Sequence, residues 1–261
     1  MACFKLTLAY DGTEFHGWQR QPEQRTVQGE LERAWLEITG ETARVAGASR
    51  TDAGVHAGGQ VASVESATQL SPDALLSGLN AKLPDDAAVR RVELAPDGFH
   101  ATHDSRRKRY RYSFYNDHRR PVFTRRHAWH VPSRLDVAAM HRAAKGLIGK
   151  HDFASFQSVG SKRESTVRTI FDAEVQSRAG RGRGGDADHG ADDETAALID
   201  FEVEGDGFLY NMVRALAGTL VEIGRGRRDD KWIAEVIAAR DRSVAGQTAP
   251  PHGLTLLWVA Y

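Results

Sequence analysis

The sequence predicts an α+β fold in two similar halves, residues 1–105 and 106–261, each combining strands with about two helices. Three observations lead there. Stretches with period-two alternation, such as residues 4–10, 89–94 and 254–259, read as strands. Between them lie stretches with apolar residues every three or four positions, bounded by helix caps. Past residue 105 the order of these patterns begins again, so the fold reads as a structural duplication, although the halves share no evident sequence repeat.

Phe4-Lys5-Leu6-Thr7-Leu8-Ala9-Tyr10 is the first strand, closed by the turn Asp11-Gly12. The loop after it carries Phe15, His16, Trp18, Gln19, Arg20 and Gln21, and Trp18 has two readings there: contact with a base, or a pin into the core. Thr26 caps a helix whose apolar face is Val27, Leu31, Ala34, Trp35 and Ile38, ended by Gly40. Strand patterns at 43–48 and 60–64 flank a glycine-rich loop. Ser71-Pro72-Asp73 starts a second helix with a stripe of Leu75, Leu76, Leu79 and Leu83. From 106 to 115, Tyr110, Tyr112 and Phe114 share one parity and Arg107, Arg109 and Arg111 the other, which gives a strand one aromatic and one basic face. Asp136 opens a helix expected to run to Gly149. Strands follow at 166–175 and 197–203, separated by a Gly, Asp, Arg and Ala stretch at 178–196 that reads as a surface excursion. A helix is expected from Phe208 to Ile223, closed by Gly224, another over 230–239, and a strand over 254–259.

The 261 residues are 41% hydrophobic, enough for a sizeable core, and the 35 basic residues balance the 35 acidic ones. That balance hides two opposite fields. Between Ser105 and Arg126 nine basic residues face Asp117 alone, whereas 186–206 is acidic with no Lys or Arg. Cys3 is the only cysteine, so neither an intrachain disulfide nor a thiolate metal cluster is available. Without a signal segment or a long apolar run, the chain is expected to be soluble and cytoplasmic, away from membranes. His100 and His103 have a ligand-like spacing with no second cluster in support, so they read as structural or surface residues rather than metal ligands.

Phosphate-gripping, nucleophile-elbow and dinucleotide signatures are missing. What stands out is one carboxylate, Asp52, at the tip of Gly47-Ala48-Ser49-Arg50-Thr51-Asp52-Ala53-Gly54-Val55-His56-Ala57. Taken alone, Thr51-Asp52-Ala53-Gly54 also suits an ordinary surface turn. A carboxylate serves as a covalent nucleophile when it stays ionised, and a nearby arginine opposes the effect of burial. Arg50 and Arg214 are the candidates. Rings beside a row of arginines suit RNA, stacking on bases and gripping phosphates.

The segment 48–57 resembles the active-site motif of the tRNA pseudouridine synthase A family. So do Tyr10-Asp11-Gly12 with Phe15-His16-Gly17-Trp18-Gln19, Thr26-Val27-Gln28-Gly29-Glu30-Leu31, Lys108-Arg109-Tyr110-Arg111-Tyr112, His151-Asp152-Phe153, Val167-Arg168-Thr169-Ile170 and Phe208-Leu209-Tyr210-Asn211-Met212-Val213-Arg214, in the family's order. The resemblance implies the pseudouridine synthase fold: mainly antiparallel sheets flanked by helices, with an active-site cleft between the halves. It implies conversion of uridine to pseudouridine in the anticodon stem-loop of tRNA, around positions 38 to 40, without cofactor or metal, by a homodimer. On these residues Asp52 would be the nucleophile, Tyr110 would stack on the target uracil, Arg214 would pair with Asp52, and Arg50 would hold the nucleotide out of the stem. Arg107, Lys108, Arg109 and Arg111 are expected to bind RNA. Attack on uracil C6 and attack on sugar C1′ stay open, as do Tyr110 and Asp52 as the base that removes the C5 proton.

Thr102 stands where the family often has an arginine after Phe99-His100-Ala101. The acidic 178–196 excursion is expected to lie away from the tRNA path. Two other functions compete. A non-catalytic RNA-binding module would keep the surface without the chemistry, and a nucleoside hydrolase would want a second acid near the first, which this loop lacks.

Overall fold

Strand β1 (Ala2–Tyr10) turns its alternation into burial: Phe4, Leu6, Leu8 and Tyr10 point into the core while Lys5, Thr7 and Ala9 stay partly exposed. The computed structural model describes residues 1–158, 165–178 and 197–261. After β1 come α1 (Val27–Thr39), β2 (Ala46–Gly47), β3 (His56–Ser66), α2 (Pro72–Lys82), β4 (Ala87–Ala95), β5 (Arg107–Tyr115), β6 (Trp129–His130), α3 (Val137–Lys145), β7 (Gly149–Asp152), β8 (Val167–Ser177), β9 (Leu198–Gly205), α4 (Met212–Gly224), α5 (Trp232–Ala239) and β10 (Leu254–Ala260). The chain groups into two compact units: Met1–Lys108 with Thr255–Tyr261, and Arg109–Leu254. The architecture is the expected α+β class, with strand pairing mainly antiparallel.

In the first unit β1 lies between β4 and β3 and is antiparallel to both, β2 pairs with β3, and Thr255 of β10 pairs parallel with His56. Thr26 Oγ1 accepts from Gly29 N at 3.2 Å, and Gly40 at φ 73° ends α1 with its N–H on the Leu36 carbonyl. Trp35 of α1 stacks toward Phe4 of β1, ring centroids 5.8 Å apart. Ser71 caps α2, and Asn80 ties it to β4 by exchanging two 2.9 Å hydrogen bonds with the Val89 backbone.

In the second unit the order is β5-β9-β8-β7, with β6 on β5. Helix α4 is buried along most of its length, and α3 docks on β8 through His141 Nδ1, 3.0 Å from the Val175 carbonyl oxygen. Among the described residues no helix is long and apolar enough to cross a membrane.

Several boundaries differ from expectation. The strand expected over 43–48 shrinks to Ala46–Gly47, where pairing with β3 is confined. Helix α3 stops at Lys145, because the Gly146 N–H closes on the carbonyls of Ala143 and Ala144. Gly149, expected to stop it, instead starts β7 at φ 119°. Helix α4 begins only at Met212: Asn211 at φ 60° is left-handed, so Phe208 lies in the preceding turn rather than on the helix. Helix α4 also includes Gly224, with Arg225 at its C-cap. Apart from Arg178, the expected excursion at 178–196 lies outside the described residues.

Gly218 of α4 carries a testable consequence. Alanine in a helix interior ordinarily outperforms glycine by about 1 kcal/mol. Here a Cβ would run into the Gln247 carbonyl oxygen. Gly218→Ala is therefore expected to lower the melting temperature, read by circular dichroism; a rise would contradict this packing.

Candidate active site

The Asp52 loop joins β2 to β3, and its own unit holds it from three directions. From the side, Trp18 N donates to Thr51 O at 3.0 Å and Gly54 N to Phe15 O at 3.4 Å. This approach requires glycine at 17, which sits at φ 85° and where a Cβ would lie 2.8 Å from Thr51 O. From below, the fully buried Gln60 brackets Ser49: Nε2 donates to Ser49 O at 2.7 Å and Oε1 accepts from Ser49 N at 3.1 Å. At the base, Lys108 Nζ donates to Ala48 O at 2.6 Å and Thr102 Oγ1 to Gly47 O at 2.7 Å. Asp52 itself is half-buried, with Val55 N on its carbonyl at 3.1 Å, and Arg50 is exposed.

Trp18 resolves toward the core: it is buried, it packs on Tyr10, and Gly47 leaves the space its indole fills. Thr102, where an arginine was expected by resemblance, fastens the base of the loop. His100 and His103 stack at 4.2 Å, and backbone N–H groups of Thr102 and His103 reach His100 Nδ1, a structural arrangement. On the far side of the loop His56 is buried against the Asp11-Gly12 turn. Gly12 N lies 3.0 Å from its Nδ1 and an Asp11 carboxylate oxygen 3.1 Å from the same atom. With Nδ1 unprotonated the Gly12 amide donates to it; with Nδ1 protonated it donates to Asp11.

Tyr110 and Arg214 belong to the second unit. Tyr110 is buried with its ring edge-on to Phe208, centroids 5.1 Å apart. Arg214, on the first turn of α4, donates from Nε to Ala249 O and from Nη1 to Asn211 Oδ1, both at 2.8 Å. Asn211 in turn donates to Ser158 Oγ at 2.8 Å, so the guanidinium is held at two points by groups that are themselves held.

The basic face of β5 meets carboxylates. Arg109 donates to Glu202 at 2.8 Å, Asp172 at 3.0 Å, Glu174 at 3.1 Å and Glu204 at 3.4 Å. Arg111 donates to Glu202 at 2.7 and 2.9 Å, and Arg178 to Asp200 at 2.6 Å. Arg109 and Arg111 are thus engaged by carboxylates of β8 and β9. Lys108 is directed to the loop backbone, and Arg107 alone of the four is exposed.

Reading from single residues missed Gln60, the Asp11–His56 pair and Asn211. Gln60 had a signal, a long polar side chain inside a run of small and apolar residues.

This charge network sets an acid limit. Burial pushes the Glu202 carboxyl up, but hydrogen bonds and charge from Arg111 and Arg109 together outweigh it and hold the group below its ordinary 4.5. Asp172 is likewise held below 3.8: burial opposes, and Arg109 and Lys145 prevail. A depressed carboxylate contributes stability above its unfolded value and loses it as pH falls through the folded one. Melting temperature is therefore expected to drop as pH falls below 4.5, and Glu202→Gln to flatten that limb. An unchanged limb in the variant would assign the acid sensitivity elsewhere.

Comparison with known proteins bears on the whole chain. The family model described as tRNA pseudouridine synthase matches residues 7–104 and 143–261. The chain is 46% identical over 264 residues to tRNA pseudouridine synthase A of Moorella thermoacetica and 44% identical over 261 residues to that of Brevibacillus brevis, covering 100% of both partners in each case. It is 45% identical over 262 residues to that of Myxococcus xanthus, spanning 92% of the relative. With likeness of this depth from end to end, the chain belongs to the tRNA pseudouridine synthase family and is an isomerase of tRNA uridine.

Proposed function

We propose that the uridines it isomerises lie in the anticodon stem-loop, around tRNA positions 38 to 40, and that Asp52 is the nucleophile. The observation that carries this is the Asp52 loop. Its neighbours are fixed by hydrogen bonds from the 15–18 segment, from Gln60 and from Lys108, while the carboxylate-bearing residue itself stays half-buried rather than sealed in the core. An acid needed in its ionised form gains from that compromise, because full burial disfavours charge.

The reaction is an isomerisation, so no atom is added or lost overall. The bond between C1′ and N1 breaks, the uracil turns, a bond from C1′ to C5 forms, the C5 proton leaves, and N1 ends with a proton. C5 is shielded in a stacked, paired base, so the nucleotide must first leave the stem at a cost of a few kcal/mol. Tyr110 offers a ring to replace the lost stacking, and the exposed Arg50 is assigned to the vacated position. Arg214 supplies fixed positive charge to the reacting group. The carboxylate adds to uracil C6 or to C1′; both routes give the same product. With Arg109 and Arg111 engaged elsewhere, Arg107 and the exposed Arg120 and Arg125 become the proposed phosphate contacts. The resemblance extends the proposal to a cytoplasmic homodimer.

The test uses tRNA carrying tritium at uridine C5. The wild-type protein is expected to release label to water, and Asp52→Asn to release none while binding tRNA with wild-type affinity. Release by the variant would overturn the nucleophile assignment, and binding without release by the wild type would favour a non-catalytic RNA-binding module. Affinity is also expected to fall steeply with salt, as counterion release requires; a flat salt response would contradict phosphate-dominated binding.

A further inference from the structure

Beneath the Asp52 loop lies a chain of three buried polar side chains that the chemistry proposed above does not use. Gln60 of β3 is 0% exposed, Tyr10 at the end of β1 is 5% exposed and Thr51 is 7% exposed. Burying such groups is costly unless every donor and acceptor is met. Every donor and acceptor of the Gln60 amide is met. Gln60 Oε1 accepts from Ser49 N and Val61 N at 3.1 and 3.2 Å, and Nε2 donates to Ser49 O at 2.7 Å and to Tyr10 Oη at 3.3 Å. The amide nitrogen has nothing to accept with, so the tyrosine oxygen is the acceptor in that pair. The phenol oxygen shares a second hydrogen bond with Thr51 Oγ1, 2.7 Å away, in which either hydroxyl can be the donor.

The chain grips the loop on both sides of Arg50. One branch holds Ser49 by both backbone groups, the other holds Thr51 by its hydroxyl, and Trp18 N fixes the Thr51 carbonyl at 3.0 Å. Asp52 is the next residue. Tyr10 is independently anchored, with its ring against Phe15 at 6.3 Å and Trp18 at 6.4 Å, so the grip is referred to the core of the unit and not to another mobile side chain. We infer that Gln60, Tyr10 and Thr51 act as positioning residues that set the approach of the Asp52 carboxylate to its target, with the Tyr10–Thr51 hydrogen bond as the final link. The inference rests on the assignment of Asp52 as nucleophile. It assigns these three side chains to the chemical step and not to tRNA affinity.

Tyr10→Phe removes one hydroxyl and keeps the ring packing, and Thr51→Val reads the same bond from its other end. Rates of tritium release are measured in single turnover with enzyme in excess, tRNA affinity by filter binding, and folding of each variant by its thermal melt. A misplaced reacting group costs rate without costing binding, so each substitution is expected to slow release at least about tenfold while the dissociation constant moves less than about twofold. The double variant is expected to be no slower than the slower single one, since both remove one bond. Thr51→Ser, which keeps the hydroxyl, is expected to restore most of the rate. Wild-type rates in Tyr10→Phe and Thr51→Val, a loss that appears in affinity instead, or multiplying effects in the double variant would each overturn the inference. Asp52→Asn is measured alongside. If it is inert while Tyr10→Phe runs at the wild-type rate, the positioning role falls and the nucleophile stands. If it still releases label, the nucleophile assignment falls and takes the positioning role with it.

Discussion

On the proposed function, a loop that offers a carboxylate to a substrate faces opposing demands, and the hydrogen bonds of Gln60 to both backbone groups of Ser49 answer them. Sealing the acid inside would disfavour its charge; leaving the loop to solvent would leave its geometry undetermined. Fixing the backbone from beneath, through a fully buried amide, separates the two problems. The main chain on both sides of Arg50 is hydrogen-bonded while the Arg50 side chain stays exposed and Asp52 half-buried. Gln28 does the same for the preceding segment: its amide oxygen accepts from Arg20 N and Gln19 Nε2 at 2.9 Å, and its nitrogen reaches Val45 O at 3.1 Å. Two buried glutamines thus brace the loops at 19–20 and 49–52.

The second unit shows how a sequence balanced in charge distributes it. Residues 106–111 look like an RNA-gripping strip when read alone. In the sheet, antiparallel register sets acids of β8 and β9 facing one another, Glu174 opposite Glu202 and Asp172 opposite Glu204. Arg109 serves all four, with a side chain only 15% exposed. A guanidinium so enclosed stiffens a sheet face and carries little field to a distant phosphate. On the charged side of this strand Arg109 and Arg111 serve the sheet while Arg107 stays exposed.

Local rules carried a good deal of this outcome. Thr26, Ser71 and Asp136 cap the helices they were expected to cap, because capping needs only the three residues that follow. The parity of Tyr110, Tyr112 and Phe114 places the three rings on one face, since a strand alternates whatever its partners are, and that face is buried. Such rules do not reach remote partners. The carboxylates that claim Arg109 lie more than sixty residues along the chain. The apolar period continues through Asn211, but its backbone is left-handed at φ 60°, and the helix starts after it. At the site itself, Asp52 was legible from its glycine-flanked loop and its resemblance to a known motif. Its support was not: Gln60 lies eight residues on and Tyr10 forty-two before, and only the pairing of β1 with β3 brings them beneath it.

The claim on which the account rests is that a single carboxylate, braced in place, converts uridine in the anticodon arm. The most direct measurement is a map of pseudouridine in tRNA from cells that lack this gene, complemented with the wild-type protein or with Asp52→Asn at equal abundance. Pseudouridine at positions 38 to 40 is predicted to return with the wild type alone. Its return with the asparagine variant would contradict the account.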